Sequence, residues 1–205
     1  MEVEIKYDLI PLTPVFIKNK HSGSNNRHGA ELQFKIPGST IKGRTRYCCK
    51  EFIYNCTTTV FEEEDITKIF SSNGNSEFNC KNCVFSDLTM NENCSRQALQ
   101  KKITGLNDKE LSKTKMNIPL SLLNKKIIFF KKNSKLNGKI VFKMKEEDNK
   151  YIALIVIGLR LLNRFGGGKT VGFGKSKIPL NSLEITKNGN KIENIHDFLS
   201  EYLAT

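Results

Sequence analysis

Residues 164–175 have the sequence RFGGGKTVGFGK, which places five glycines within nine residues. Glycines at this density let a backbone approach another chain closely and leave N–H groups exposed to an anion. Lys169 and Lys175 add positive charge. The stretch does not match a P-loop, because GxxxxGK[ST] is absent and a helix precedes the loop. We interpret it as a phosphate- or RNA-contacting loop; the alternative is a flexible turn, which needs fewer glycines.

The segments around this loop predict a buried helix and then a strand. Residues 151–164 are apolar nearly all round, which predicts a core helix ending at the glycines. The acidic residues 146–148 precede it, where the helix dipole favours negative charge. Strand-like stretches follow around 173–179 and 183–186. A turn and a last short helix with one apolar face complete the chain.

The N-terminal part predicts a strand followed by a basic helix. Apolar and polar residues alternate over 2–9, as in a half-buried strand. The segment IPGSTIKG, residues 36–43, begins a helix with Ser39 placed to cap it. No acid interrupts residues 39–50, and free N–H groups at the helix start also favour a phosphate. The basic residues of this helix are Lys42, Arg44, Arg46 and Lys50.

The order of the elements predicts an α+β fold. Two strands, 127–130 and 139–144, are expected around an Asn-Gly turn. The core order is then β-α-insertion-β-β-α-β, the ferredoxin-like or RRM-like pattern. Residues 1–56 and 119–205 are predicted to form this core. Residues 57–118, which are rich in Ser, Asn and acids, are predicted to be an insertion outside the main sheet.

Composition points to a polyanionic partner. The chain has 205 residues, with 33 Lys and Arg against 21 Asp and Glu, a net charge of +12. Nucleic acid is the usual partner for such a surplus, although a solvated lysine-rich surface is the alternative. The apolar content of 38% excludes a disordered tail. No secretory signal or membrane-spanning run is visible, so we expect a cytoplasmic protein with no membrane partner.

Three segments resemble the RAMP superfamily of CRISPR-associated proteins. The loop at 164–175 resembles the glycine-rich loop of that superfamily, and residues 36–43 resemble the PGSS-hydrophobic-KG segment of its backbone-forming members. Phe85-Ser86-Asp87, together with residues 101–108, resembles the region that leads into a protruding thumb hairpin. The combination is most similar to the filament-forming backbone subunits of type III effector complexes.

The resemblance implies an RNA-binding subunit of a type III CRISPR ribonucleoprotein in antiviral defence. Such subunits hold the guide RNA backbone, and the thumb separates the guide–target duplex at intervals. The implied partners are the guide RNA, the target RNA, other effector subunits and further copies of the chain. Contacts to phosphates position RNA without reading its sequence. The candidate RNA-binding residues are Ser39, Lys42, Arg44, Arg46, Lys50, Arg164, Gly166, Gly167, Gly168, Lys169 and Lys175.

Four cysteines predict a structural zinc site. Cys80 and Cys83 form a CxxC pair, with Cys94 downstream and Cys56 upstream. Four thiolates satisfy tetrahedral zinc, and a small polar insertion gains stability from a metal. Type III relatives often carry a zinc knuckle in this insertion. Redox chemistry by the CxxC is the alternative, but no thioredoxin-like strand-to-helix pattern surrounds it.

The remaining cysteines and histidines leave the ligand set open. Cys48 and Cys49 lie on the apolar side of the basic helix and are predicted to be buried thiols. Either of them is an alternative to Cys56, and His21 and His28 are outside candidates as ligands.

The sequence favours RNA binding without cleavage. Target-cleaving relatives carry an aspartate in the loop before the PGS segment, whereas residues 18–35 contain none. Glu31 is the only carboxylate there, with His21 and His28 nearby as the other catalytic candidates. One alternative is a guide-processing endoribonuclease of the same superfamily with a histidine as general acid–base. Another is a stand-alone zinc-containing RNA-binding module.

Overall fold

An antiparallel sheet packed against helices makes up the described part of the chain, residues 1–13, 36–56, 60–70, 83–90, 135–164 and 174–203 of a computed structural model. The elements in chain order are β1 (Glu2–Pro11), α1 (Gly38–Asn55), α2 (Glu63–Phe70), β2 (Val84–Phe85), β3 (Thr89–Met90), β4 (Leu136–Lys143), α3 (Asn149–Arg160), β5 (Ser176–Lys177), β6 (Glu184–Lys187), β7 (Asn190–Lys191) and α4 (Ile195–Leu203).

Strand β1 lies in the middle of the sheet, whose order is β2-β4-β1-β6-β7. Its register against β4 runs from Glu2 opposite Lys143 to Leu9 opposite Leu136, and β6 pairs with its other edge. Strand β3 also pairs with β4, and β5 pairs with the last residues of β1. The predicted alternation of β1 is confirmed, because Val3, Ile5, Tyr7 and Leu9 are all buried.

Helices α1 and α3 pack against each other and contribute to one core with the inward side of the sheet. All residues of α3 from Tyr151 to Leu159 are buried, as its uniformly apolar sequence predicts. Helix α1 buries one stripe that includes Ile41, Thr45 and Cys49. The two helices approach closely at Gly158, where a Cβ atom would overlap the Sγ atom of Cys49.

The expectation that residues 57–118 lie outside the main sheet is wrong for residues 83–90. Strands β2 and β3 both pair with β4. Helix α2 packs on α1 and contributes Ile66, Ile69 and Phe70 to the core. A strand of two residues is too short to show an alternating pattern in the sequence. Only its pairing with β4 shows that this segment belongs to the main sheet.

The predicted turn at Asn137-Gly138 is also wrong. Both residues lie within β4, opposite Asp8 and Tyr7. A Cβ atom at Gly138 would overlap the ring of Tyr7, so this glycine makes room for an aromatic side chain instead of reversing the chain. The predicted strand at 127–130 lies outside the described residues.

Helix boundaries differ slightly from those expected. Helix α1 begins at Gly38 with Pro37 as its N-cap residue, so Ser39 lies inside the first turn and is not the cap. Helix α3 ends at Arg160, and the acidic residues before it form a short 3-10 turn, Glu146–Asp148. Among the described helices, none has the length and apolar character needed to cross a bilayer.

Candidate nucleic-acid interface

The described ends of the glycine loop lie beside α1. Arg164 and Lys175 form an antiparallel β-bridge that closes the base of the loop. The Nε–H of Arg44 donates to the carbonyl oxygen of Arg164 at 3.2 Å, which joins α1 to this base. The two segments that sequence analysis selected independently therefore meet at Arg44. The other candidates in the loop, Gly166, Gly167, Gly168 and Lys169, lie outside the described residues.

The base of the loop is also fixed to the end of β1. The backbone N–H of Lys175 donates to the Thr13 hydroxyl at 2.8 Å, and its carbonyl accepts from the N–H of Leu12 at 2.8 Å. The N–H of Ser176 donates to the carbonyl of Asn163 at 2.9 Å. The backbone of Lys175 is thus held on two sides, while the residue itself is exposed.

The start of α1 already holds an anion from its own chain. The Oδ1 atom of Asp87 accepts the N–H of Gly38 at 2.9 Å. Ile36 and Leu88, the neighbours of this contact, exchange two backbone hydrogen bonds of 3.1 and 2.8 Å. A carboxylate at a helix N-terminus satisfies a free donor and the helix dipole. The expected phosphate site on free N–H groups is therefore occupied, at Gly38, by Asp87.

Two of the predicted phosphate contacts have partners within the protein. The ammonium group of Lys42 donates to the carbonyl oxygen of Cys83 at 3.1 Å and ties α1 to the start of β2. Lys50 forms an ion pair with Glu63 at 3.3 Å. Hydrogen bonding to Glu63 raises the pKa of Lys50, and hydrogen bonds from Tyr54 and Lys50 lower the pKa of Glu63. These two lysines are thus less suited to bind RNA than the sequence suggests.

Three polar residues of α1 remain favourable for contact with a ligand. Ser39 in the first turn and Arg46 in the third are exposed. Within the described residues, the Arg46 guanidinium has neither an ion-pair nor a hydrogen-bond partner. Arg44 uses Nε for the Arg164 carbonyl, and its guanidinium lies 4.9 Å from the ring centroid of Tyr47. Arg44, Arg46 and Lys175 therefore form the cationic part of the candidate interface.

Two tyrosines on the same helix were missed by sequence reasoning. Tyr47 is 50% exposed and Tyr54 is 60% exposed, although each is large and aromatic. Arg44 lies over Tyr47, and the ammonium group of Lys50 lies 5.3 Å from the ring centroid of Tyr54. Spacings of three and four residues between a cation and an aromatic ring place both on one helix face. This spacing, visible in the sequence, could have predicted that the two tyrosines lie beside the cations of α1.

The outward side of the sheet carries paired charges instead of aromatic rings. The Glu4 carboxylate contacts the ammonium groups of Lys139 and, at 2.9 Å, of Lys6, whose hydrogen bonds lower the pKa of Glu4. Asp8 accepts from the Asn137 amide at 2.7 Å. At the described outward positions of β1 and β4 there is no aromatic residue. This side therefore lacks the stacking platform by which RRM domains bind RNA.

The described cysteines lie in three environments. Cys48 and Cys49 are 7% and 0% exposed, which confirms them as buried thiols, and burial raises the pKa of both. Cys83 is buried immediately before β2, beside Lys42. Cys56 is half-buried at the C-terminal end of α1, about 21 Å along the helix axis from the level of Lys42.

The remaining candidates for metal binding or catalysis fall in segments that the structure does not describe. Cys80, Cys94, His21, His28 and Glu31 lie outside the described residues. Within the residues that are described, no three His, Cys, Asp or Glu side chains converge as metal ligands do.

Comparison with solved structures identifies similar folds. No family model and no curated protein sequence matches this chain. A chain of a Csm3-Csm4 subcomplex of the type III-A CRISPR-Cas interference complex is 18% identical, with a TM-score of 0.51 over 100% of this chain and 96% of that one. Cmr4 from Pyrococcus furiosus, an oligomeric protein, is 14% identical, with a TM-score of 0.53 over 91% and 100%.

A third similar structure is a chain of the type III-B Cmr-beta complex bound to cognate target RNA. It is 15% identical, with a TM-score of 0.51 over 91% of this chain and 61% of that chain. These neighbours include chains of a type III-A and of a type III-B CRISPR complex. The resemblance is one of fold. At this level of identity it shows a shared fold, a mixed arrangement of helices and an antiparallel sheet, as the α+β expectation required.

Proposed function

We propose that this chain is an RNA-binding subunit of a type III CRISPR ribonucleoprotein, holding the guide RNA backbone and the guide–target duplex between α1 and the glycine loop. The observation that carries the proposal is the hydrogen bond from Arg44 to the carbonyl of Arg164, which joins α1, the basic helix that begins in segment 36–43, to the base of the glycine loop. Its partners are the guide RNA, the target RNA and other subunits, including further copies of this chain.

We infer that the core is ferredoxin-like. The strand order β2-β4-β1-β6 supports this inference, because β1 and β2 both run antiparallel to the β4 strand between them. Strand β6 pairs antiparallel with the other edge of β1, and α1 and α3 lie in the two connections that the pattern requires. This arrangement explains why the C-terminal end of α3 leads into the loop beside α1.

The proposed contacts are electrostatic and independent of base sequence. Arg44, Arg46 and Lys175 would bind phosphates, and Lys169 in the glycine loop is the fourth candidate. Each phosphate neutralised by a cation releases a counterion, so affinity falls as the salt concentration rises. A guide carrier needs this kind of contact, because its guides differ in sequence.

Of the two alternatives, the stand-alone module has less support. A stand-alone RRM-like module would use aromatic rings on the outward side of the sheet, where β1 and β4 present Glu4, Lys6, Asp8 and Lys139. The guide-processing endoribonuclease, with His21 or His28 as general acid–base, stays an untested prediction, because both histidines lie outside the described residues.

Purification of the tagged protein from its native host tests the proposal. We expect a multi-subunit particle that contains short RNAs with a common repeat-derived 5′ segment, because the subunit binds guide backbones and not sequences. Alanine at both Arg46 and Lys175 should reduce the recovered RNA. For single-stranded RNA, the slope of log affinity against log salt should fall by about 1.4 in magnitude for two lost phosphate contacts.

Lys143→Ala is the matched control, because it removes one exposed cation from the outward side of the sheet. It should leave the recovered RNA and the salt slope unchanged. A lone protein without such RNA would contradict the proposed function. Equal effects of the Lys143 variant and the double variant would contradict the proposed interface.

We also propose a structural zinc ion held by the CxxC pair, Cys80 and Cys83, together with Cys94. Cys56 was the fourth predicted ligand, but its position at the far end of α1 from Lys42 and Cys83 favours a different fourth donor. The buried position of Cys83 beside α1 supports a role for the metal in fixing the start of β2. When bound, zinc would cross-link these side chains and would take no part in a redox step.

The metal content of the purified chain tests this proposal. We expect about one zinc ion per chain, as in other closed four-ligand sites. Zinc should be lost from Cys80→Ser and retained in Cys56→Ser, the matched control. Measurement by plasma mass spectrometry on both variants decides the ligand set, and wild-type protein without zinc would show that the site does not exist.

A further inference from the structure

We propose that the face of α1 formed by exposed Gly43, half-buried Arg44 and exposed Tyr47, here named the Tyr47 shelf, stacks one unpaired nucleobase of RNA. The inference rests on the proposed RNA-binding function and adds a second kind of contact to it. Phosphate contacts hold the strand, whereas the shelf distinguishes single-stranded from paired RNA. Bases inside a duplex do not expose a ring face for stacking.

Gly43 has no packing role among the described residues. A Cβ atom built on it would meet no atom of the described residues within 4 Å, in contrast to Gly158, where a Cβ would overlap Cys49. Glycine within a helix is less stable than alanine because of its backbone entropy. A helical glycine that faces open space therefore suits a place where another molecule approaches the backbone closely.

Tyr47 lies one helical turn after Gly43, so its ring is next to the open space. The residue is 50% exposed. The Arg44 guanidinium lies 4.9 Å from the ring centroid, and Arg44 is held in turn by the carbonyl of Arg164. This pairing restrains the ring before any ligand arrives. A restrained ring beside a residue without a side chain can accept a flat group on its exposed surface.

The charges around the shelf favour nucleic acid over a protein partner. Arg44 is part of the shelf, and Arg46 is exposed without a partner among the described residues. Aromatic rings interleaved with cations are the usual surface for single strands, because the rings stack bases and the cations neutralise phosphates. Tyr54 differs, since Glu63 pairs with the Lys50 that lies over its ring. Tyr54 is therefore the matched control for Tyr47.

Fluorescence anisotropy with the full chain and a labelled single-stranded RNA of mixed sequence tests the shelf. We expect Tyr47→Ala to weaken binding by about 5- to 150-fold, the range for loss of one base stack. The salt slope should stay unchanged, since no phosphate contact is lost. Tyr47→Phe should keep wild-type affinity, and Tyr54→Ala should change it less than about 2-fold. Duplex RNA of the same sequence should not distinguish Tyr47→Ala from wild type.

Gly43→Ala provides a second variant that is expected to fold well. The added methyl group should raise helix stability and weaken single-strand binding, by no more than Tyr47→Ala does, because it occupies only part of the shelf. Loss of affinity together with a gain in stability cannot come from unfolding.

The outcomes separate this inference from the proposed function. Suppose that Tyr47→Ala and Tyr54→Ala have the same RNA affinity, while alanine at both Arg46 and Lys175 lowers it. The stacking proposal is then wrong, and the proposed RNA-binding function stands. If wild type binds no RNA, both are wrong. If Tyr47→Ala keeps its RNA affinity but no longer assembles with other subunits, the shelf is a protein interface and the stacking proposal is overturned.

Discussion

Replacement of Gly158 by alanine is expected to lower the free energy of unfolding by about 1–3 kcal/mol, the usual cost of overpacking a core. The added Cβ would overlap Cys49 Sγ. It would also lie 3.0 Å from two atoms of Thr45, the carbonyl oxygen and the Cγ2 atom. A flexible side chain could move aside, but the Thr45 carbonyl belongs to the backbone of α1. Helices α1 and α3 would have to separate, although alanine is otherwise the better helix former.

Urea denaturation measures this effect, with Gly43→Ala as the matched control in the other helix. The control should gain about 0.5–1 kcal/mol, because its Cβ meets open space and only the helix propensity changes. The two substitutions are chemically identical and should have opposite signs. If Gly158→Ala also stabilised the protein, the close approach of α1 and α3 would be wrong.

A double variant identifies the atom responsible. Cys49→Ala removes the Sγ atom that the new Cβ would overlap, and with it the hydrogen bond from that thiol to the Leu154 carbonyl at 3.3 Å. Cys49→Ala alone should lower the free energy of unfolding by the cost of a small cavity. Combined with Gly158→Ala, the total loss should be smaller than the sum of the single losses, since the methyl group added at position 158 partly fills the space that the sulfur leaves.

The elements with strong periodicity were predictable from the sequence. Strand β1 alternates because one of its sides faces the core and the other faces solvent. Helix α3 is apolar all round because it is packed on every side, with every residue from Tyr151 to Leu159 buried. The stripe of α1 was visible for the same reason. In each case one local pattern carries the whole signal.

Contacts between distant segments were not predictable. Strands β2 and β3 have two residues each, too few for any period, and they are defined by their pairing with β4. The carboxylate at the start of α1 comes from Asp87, which is 49 positions away along the chain. Asn137-Gly138 has the composition of a turn, yet the ring of Tyr7 occupies the space that a side chain at Gly138 would need.

The candidate site was predicted only in part, because local patterns are visible in the sequence and contacts between distant segments are not. The glycine loop and the start of α1 were found because each has a distinctive composition, and Arg44 joins them as a shared surface requires. Lys42 and Lys50 were counted as phosphate ligands because their partners, the Cys83 carbonyl and Glu63, cannot be seen from the helix sequence alone. A count of cations on a helix face thus overestimates the charge that is available to a ligand.

Replacement of Lys150 by methionine is expected to lower the free energy of unfolding by about 3 kcal/mol, near the lower limit for breaking a buried ion pair. The Asp65 side chain is 1% exposed, and both of its oxygens lie 3.0 Å from the Lys150 ammonium group. Asp65 Oδ2 also accepts the N–H of Glu62, as the third residue of a helix does in a capping box. Lys150 is 33% exposed, so water reduces the loss.

Two further variants determine whether the loss comes from an uncompensated charge. Asp65→Asn combined with Lys150→Met should recover most of the stability, because the amide oxygen still accepts from Glu62 and no buried charge remains. Lys191→Met breaks an ion pair with Glu184 whose side chains are 51% and 52% exposed, and should cost at most about 0.5 kcal/mol. Equal losses for Lys150→Met and Lys191→Met in urea denaturation would show that the Asp65 pair is solvated. If the double variant is as unstable as Lys150→Met alone, the loss in free energy of unfolding comes from lost packing of the lysine stem. Only an electrostatic cost would disappear with the carboxylate charge.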